Sequence, residues 1–254
     1  MATLDLRRHR ADYGFDGDYS TVPAPVVAAI TGLTCTALLA SAAWSLAKGR
    51  RRSAAVTGAS GALIATTAAL FVQATRVGKF KVWADLLDGL ELRGDEKLLD
   101  LGCGRGAVLL AAAKLLPNGR ATGVDIWRAD QTDNSPDNTL TNAAIENVAD
   151  RVEVHTADIT ALPFDDNSFD VITSSLVVHN LPDRASREKA IAEAARVLRP
   201  GGRLMLVDIF FTSQHARQLR ALGWPGVARR NLGVRMWWGP GLITHLVSAT
   251  KPLT

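Results

Sequence analysis

Four aspartates and one histidine stand in this 254-residue chain where they could do chemistry. Around the first, the sequence reads EKLLDLGCGRGAVLLAAA from Glu96 to Ala113. The apolar pair Leu98-Leu99 meets Asp100, and glycines follow at alternate positions, Gly102, Gly104 and Gly106, before an Ala/Leu-rich run. That is a strand, a glycine turn and a helix. Glycine has no Cβ, so a ligand can approach the turn's backbone closely. The helix start adds unpaired N–H groups and a positive dipole end. Asp100, at the base of the turn, suits a cationic ligand and repels a pyrophosphate. Asp125 lies about twenty residues further on, where a carboxylate can hold two neighbouring hydroxyls through charge-assisted bonds. Asp158 follows a third apolar run, and Asp208 ends a later one. His179, with an unperturbed pKa of about 6.5, could take a proton from a nucleophile.

The elements that must carry these residues alternate between strand and helix, which predicts a parallel α/β sheet. Lys79 to Gly94 reads as an amphipathic helix and turn, with Val82, Leu86 and Leu90 on one face. Ala107 to Leu116 is the helix after the glycine turn, stopped by Pro117-Asn118-Gly119. Ala121 to Asp125 is the second strand, Thr139 to Val148 the next helix and Arg151 to His155 the third strand. Asp170 opens a fourth, DVITSSL. Arg184 to Leu198 is helical, Arg199-Pro200-Gly201-Gly202 is its stop, and RLMLVD is the fifth strand. Ser213 to Leu222 is a helix, then Trp224 to Trp238 and Leu242 to Ala249 read as two strands turning through Trp237–Pro240. The loop Arg128 to Asn138 is longer than its turn requires. It is either a solvated insertion or the rim of a lid with acids facing a cationic substrate.

GCGRGA also fits the dinucleotide pattern G-x-G-x-x-G/A, and Asp125 would serve there equally. Further strings separate the two ligand classes. Asp100-Leu-Gly-Cys-Gly-Arg-Gly106, Ala157-Asp158-Ile159, Leu162-Pro163-Phe164, Ser168-Phe169-Asp170 and RVLRPGGRLMLVD together resemble the class I S-adenosylmethionine (SAM)-dependent methyltransferases. The resemblance is nearest to the ubiquinone/menaquinone-biosynthesis-like small-molecule group, and it covers roughly residues 80–254. It implies a Rossmann-like, doubly wound, seven-stranded sheet with an antiparallel C-terminal hairpin. It also implies SAM as cofactor, held by Asp100, Gly102, Cys103, Gly104, Gly106, Asp125, Ile126, Trp127, Asp158, Ile159 and Ser174. In that scheme Asp158 accepts the adenine amine, and Ile159 brings a backbone N–H to the ring. The indole of Trp127 is either an adenine contact or core. His179 is either a general base or a residue that orients its loop. Asp208 either faces substrate or is a hydrogen-bonded strand end. No metal ligands are expected. An N/D-P-P-Y/F motif and a Pro-Cys pair after the fourth strand are both missing, which argues against a nucleic-acid substrate.

Composition sets the N-terminal part aside. Residues 1–82 carry a net charge of +6 and the remainder −2, so the basic pI does not describe the α/β part. Two cysteines, Cys35 and Cys103, are too few for a disulfide framework and suit a reducing setting. Residues 1–20 read as a mobile polar tail, 21–78 as a hydrophobic hairpin and 79–254 as the methyltransferase domain. Val22 to Leu46 is free of charge and, as a helix, about 37 Å long, against about 30 Å of bilayer hydrocarbon. Ser53 to Thr75 is a second uncharged run, richer in small residues. Two buried helices of a soluble protein are the alternative. A membrane hairpin would put the domain at the cytoplasmic face, but the basic turn Lys48, Arg50, Arg51, Arg52 would then lie outside, against the positive-inside tendency. A re-entrant or interfacial second segment would relieve that. The expected function is methyl transfer to a small, lipophilic or lipid acceptor. A soluble acceptor with the hairpin as mere anchor, a non-catalytic SAM-binding membrane scaffold and an NAD-dependent oxidoreductase are the competing readings.

Overall fold

The structure is a computed structural model that describes residues 6–253. Two long helices come first, α1 (Ala24–Ala47) and α2 (Arg51–Gln73). They pack antiparallel through small residues: a Cβ on Gly61 would come within 3.2 Å of Leu39, and one on Gly58 within 3.6 Å of Ala42. Both are long and apolar enough to cross a membrane, by length and composition, and almost none of either is buried within the protein. The second does not stop at the expected domain boundary. It passes through one π-helical turn, Ala74–Gly78, straight into α3 (Lys79–Asp88). A Cβ on Gly78 would sit 1.6 Å from the carbonyl oxygen of Arg235, so only glycine lets the C-terminal region approach this turn.

The α/β part runs β1 (Lys97–Leu101), α4 (Ala107–Ala113), β2 (Arg120–Asp125), α5 (Pro136–Ile145), β3 (Val152–Thr156), β4 (Phe169–Ser175), α6 (Arg184–Val197), β5 (Leu198–Asp208), α7 (Thr212–Ala221), β6 (Ala228–Asn231) and β7 (His245–Thr250). The seven strands line up as β3-β2-β1-β4-β5-β7-β6. The first five are parallel, and β7 is antiparallel to both β5 and β6. Order reverses between β1 and β4, so the carboxyl ends there open a crevice. The central strands β1 and β4 are covered on both faces, as a parallel sheet requires, while the edge strand β6 is exposed. Leu98 and Val171 pack under α3 and α4, while Leu99 and Ile172 pack under α6 and α7. Full burial of each such side chain stabilises by about 1.5–3 kcal/mol.

Three expectations need correction. The described part of the N-terminal tail, residues 6–20, is not loose. Leu6, Ala11 and Tyr13 are buried, and Glu146 accepts bonds from Arg10 N (2.7 Å), Ala11 N (3.0 Å) and Tyr13 Oη (3.1 Å). Apolar residues spaced among the charges give this strap a face to bury; residues 1–5 lie outside the described part. The predicted strand Trp224–Trp238 contributes only β6, because the chain then turns away so that Met236 and Trp238 bury, the latter edge-on to Phe71 of α2. Finally, the Pro200-Gly201-Gly202 stop lies inside extended chain that begins at Leu198, where Gly201 N bonds Lys251 O and Lys251 N bonds Gly202 O.

Candidate active site

The site starts from the backbone of the glycine turn. After β1 the chain folds back so that Gly102 N and Cys103 N both donate to Val124 O, at 2.8 and 3.0 Å. Gly102 and Gly104 adopt φ of +66° and +50°, a region costly for other residues. A Cβ on Gly104 would lie 2.5 Å from Gln131 Oε1, and one on Gly102 only 2.3 Å from Val177. Thr139 Oγ1 donates to Gly104 O (2.6 Å), and Arg105 N donates to Gln131 Oε1 (2.8 Å). The turn is therefore clamped from both sides before any ligand arrives.

Asp100 is 2% exposed and accepts from Thr173 Oγ1 at 2.7 Å. Burial pushes its carboxyl up to about 7, the Thr173 bond opposing and the nearby Asp125 charge adding to the rise. Burial also raises the Cys103 thiol well above its usual value, so this cysteine is a wall and not a nucleophile. Asp125 ends β2 with Oδ2 bonded to Gly104 N (2.9 Å) and Oδ1 to Trp127 N (2.7 Å). Carboxylate oxygens accept more than one bond, so this residue can still take hydroxyls from a ligand.

Asp100, Gly102, Cys103, Gly104, Asp125, Ile126, Asp158 and Ile159 line one cleft of about 390 Å³, with His179 at its rim. Four of the expected residues do not. Gly106 turns into the start of α4, packed against Leu110 and Thr139. The Trp127 ring faces away, its indole N–H donating to Thr156 Oγ1 at 2.7 Å, so this residue contributes its backbone to Asp125 and not a face to adenine. Ser174 is 2% exposed and points to the α6/α7 side, because side chains alternate along β4. Its neighbour Ser175 lines the cleft instead and accepts the indole N–H of Trp83 at 2.9 Å. Asp208 is buried behind the cleft: its Oδ1 lies 2.6 Å from His179 Nδ1, and its Oδ2 accepts His179 N at 3.1 Å. It holds the loop through the His179 backbone, stands beside the imidazole and does not line the cleft.

Other lining residues were not among the expected site residues, although a helix over Lys79 to Gly94 often covers the cofactor in the family that the sequence resembles. Asp16, Gly17 and Asp18 come from the strap, Phe71 from α2, Lys79 from α3, and Trp238 and Leu242 from the β6–β7 connection. The long polar loop proves to be a rim: Asp130 and Gln131 line the cleft, Gly17 N donates to Asp130 O (2.9 Å), and Tyr19 N donates to Ala129 O (2.8 Å).

Charge decides the ligand class. Asp16, Asp18, Asp100, Asp125, Asp130 and Asp158 face the cleft against only Lys79 and Arg128. Such a surface repels a dinucleotide's pyrophosphate and attracts an ammonium and a sulfonium. Residues 99–206 match the family model described as a methyltransferase domain. Over that stretch the chain is similar to the class I SAM-dependent methyltransferases. Over 133 residues it is 36% identical to the ubiquinone/menaquinone biosynthesis C-methyltransferase UbiE of Roseobacter denitrificans, covering 52% of this chain and 50% of that protein. Over 129 residues it is 40% identical to the 27-O-demethylrifamycin SV methyltransferase of Amycolatopsis mediterranei, covering 50% of this chain and 43% of that protein. The chain thus spans about half the length of the curated relatives it matches. A geranyl diphosphate C-methyltransferase from Streptomyces coelicolor, solved with S-adenosyl-L-homocysteine, shares the fold: TM-score 0.55, 17% identity, 67% of this chain and 76% of that one. SAM is the cofactor that the match to a methyltransferase domain supports. The cleft fits that molecule, with backbone space no Cβ could share, a ribose-ready carboxylate and excess negative charge.

Proposed function

We propose that the chain transfers a methyl group from SAM to a small acceptor with an apolar body, presented from a bilayer. One observation carries the acceptor class. Phe71, in the last turn of the second apolar helix, walls the same cleft as the glycine turn, and Trp238 and Leu242 continue that wall. A molecule held along α2 would meet the cleft's apolar wall at Phe71.

When bound, SAM supplies a methyl carbon activated by a sulfonium. Everything else falls to the chain. Asp125 would hold the ribose hydroxyls, Asp158 and the Ile159 N–H would hold the adenine edge, and the glycine turn would lend its backbone to the molecule between them. Alignment of nucleophile and methyl carbon is worth about 7–11 kcal/mol of barrier. His179 takes the acceptor's proton. Its Nδ1 lies 2.6 Å from Asp208 Oδ1, so a carboxylate stands beside the ring where the proton is taken up. The acceptor is therefore one that starts protonated, such as a hydroxyl.

α1 and α2 return the chain to its starting side, so strap and domain share one face of the membrane, taken as cytoplasmic. The domain-side flanks carry Arg7, Arg8, Arg10, Arg76, Lys79 and Lys81 against Lys48 and Arg50 to Arg52 at the tip. Counted this way, the basic residues favour the cytoplasmic placement.

The test is a labelled-methyl screen on membrane extract with the full chain in bilayer discs. Removing residues 1–78 is unsuitable, because it strips Asp16, Asp18 and Phe71 from the cleft. Label in the organic-extractable fraction supports the reading. Label only in water-soluble acceptors favours the anchor reading, and SAM binding without any transfer favours the scaffold.

A further inference from the structure

The family match begins at residue 99, yet a buried ion pair from outside it faces the cofactor cleft. Lys79 is 3% exposed, and its Nζ lies 3.0 and 2.8 Å from the two carboxylate oxygens of Asp16. Thr75 Oγ1, one turn earlier in the π-helical segment, donates to Asp16 Oδ2 at 3.3 Å. On its other side, Asp16 is one glutamine away from the glycine turn. Gln131 Nε2 donates to Asp16 Oδ1 (3.2 Å), while Gln131 Oε1 accepts from Arg105 N (2.8 Å). A lysine ammonium has three donors, and both recorded bonds go to the same carboxylate. Leaving a buried cation beside a cleft is costly unless further partners complete it, and Asp16, its side chain 20% exposed, faces the same cleft. The amino-acid end of SAM carries one carboxylate and one ammonium, the complementary pair.

We propose that Lys79 and Asp16 form the receptor for the cofactor's amino-acid end, Lys79 binding its carboxylate and Asp16 its ammonium. The inference rests on the cofactor assignment and deepens it. The membrane-side segments then do more than anchor the domain. They complete its cofactor site, and α2 runs unbroken through the π-helical turn into the residue that reads the carboxylate.

Three ligands dissect the claim in calorimetric titrations of the full chain in bilayer discs: SAM, decarboxylated SAM, and 5′-methylthioadenosine, which lacks the whole amino-acid end. The wild type should bind SAM about 10- to 100-fold more tightly than decarboxylated SAM, the range for one charge-assisted bond. Lys79→Met should bring that ratio close to one and leave methylthioadenosine affinity unchanged. Asp16→Asn should weaken SAM and decarboxylated SAM alike, again sparing methylthioadenosine. Equal affinity of the wild type for SAM and decarboxylated SAM overturns the inference without any variant, so a variant that fails to fold does not protect it. Loss of discrimination in Arg128→Gln but not Lys79→Met assigns the carboxylate elsewhere and overturns it too. A wild type that binds none of the three ligands overturns the cofactor assignment itself, and the inference with it.

Discussion

Two regions build one cleft by different means. From residue 99 onward the walls come from strand ends and the turn that follows them, so Asp100, Gly102, Gly104 and Asp125 are placed by local backbone geometry. Before residue 99 they come from a strap, the end of α2 and the start of α3, placed by contacts across long stretches of chain. The Gln131–Asp16 bond spans 115 residues and the Trp83–Ser175 bond 92. Under the proposed function the first region reads the nucleoside, while the second meets both the cofactor's amino-acid end and the acceptor's route of access. A site divided this way ties the membrane-side segments to cofactor binding as well as to the acceptor.

The sharpest test of that division concerns the residue between the two halves. His179→Ala should lower kcat by about 10²- to 10⁴-fold, the contribution of a general base. Its affinity for S-adenosylhomocysteine should stay near wild type. Asp208→Asn should act in the same direction by less, because the carboxylate beside the ring and its hold on the His179 backbone are weakened. Unchanged kcat in His179→Ala would make the imidazole a packing residue and remove the requirement for a protonated acceptor.

Next in size is the turn itself. Gly104→Val must hold a β-branched residue at φ +50° and push against Gln131. Strain of about 3 kcal/mol translates to roughly 100-fold weaker cofactor binding by titration. Binding at wild-type strength would mean that the turn is not the anchoring half.

How much of this was legible follows the same division. The strand, turn and helix around Asp100 could be read because each step is a local rule: apolar run, acid, alternate glycines. The two apolar helices could be read from length and absence of charge. What could not be read was anything set by tertiary register. Ser174 and Ser175 are adjacent, and only the pairing of β4 with β1 and β5 decides which faces the cleft. The Trp127 ring was unreadable because Thr156, on the next strand, captures its N–H. Asp16 sits among other charges in a segment with no period, and nothing before folding marks it as the partner of Lys79. The strap's buried Leu6, Ala11 and Tyr13 were visible as apolar residues, but not as a face.

On the acceptor side, Phe71→Ala with Trp238→Ala should raise KM for a bilayer-embedded acceptor about tenfold, as about 1.5 kcal/mol of apolar contact is lost. KM for a water-soluble analogue and the cofactor affinity should not follow. Parallel losses for both acceptors would show that the helix end shapes the cleft generally and provides no route from the bilayer.

The smallest effect is the most specific, because it separates the charge of the turn half from its shape. Asp100 has its carboxyl raised to about 7 by burial, above the 3.8 of an ordinary aspartate. The folded protein without cofactor therefore holds a proton that the unfolded chain releases, in the window between those values. Stability falls as pH rises through that window and levels off above about 7. A sulfonium or ammonium in the cleft favours the ionised carboxylate, so binding below pH 7 must expel the proton. Affinity for SAM should then climb with pH, by up to about tenfold per unit, and flatten above about 7. Titration at pH 6 in two buffers of different ionisation enthalpy reads the proton directly. The wild type should release up to one proton per SAM bound. Asp100→Asn keeps an oxygen for Thr173 but carries no charge, and it should release none and show a flat profile. If the wild type releases no proton at pH 6, the acid at the base of the turn is not a partner of the cofactor's positive charge, and the turn holds its ligand by shape and backbone alone.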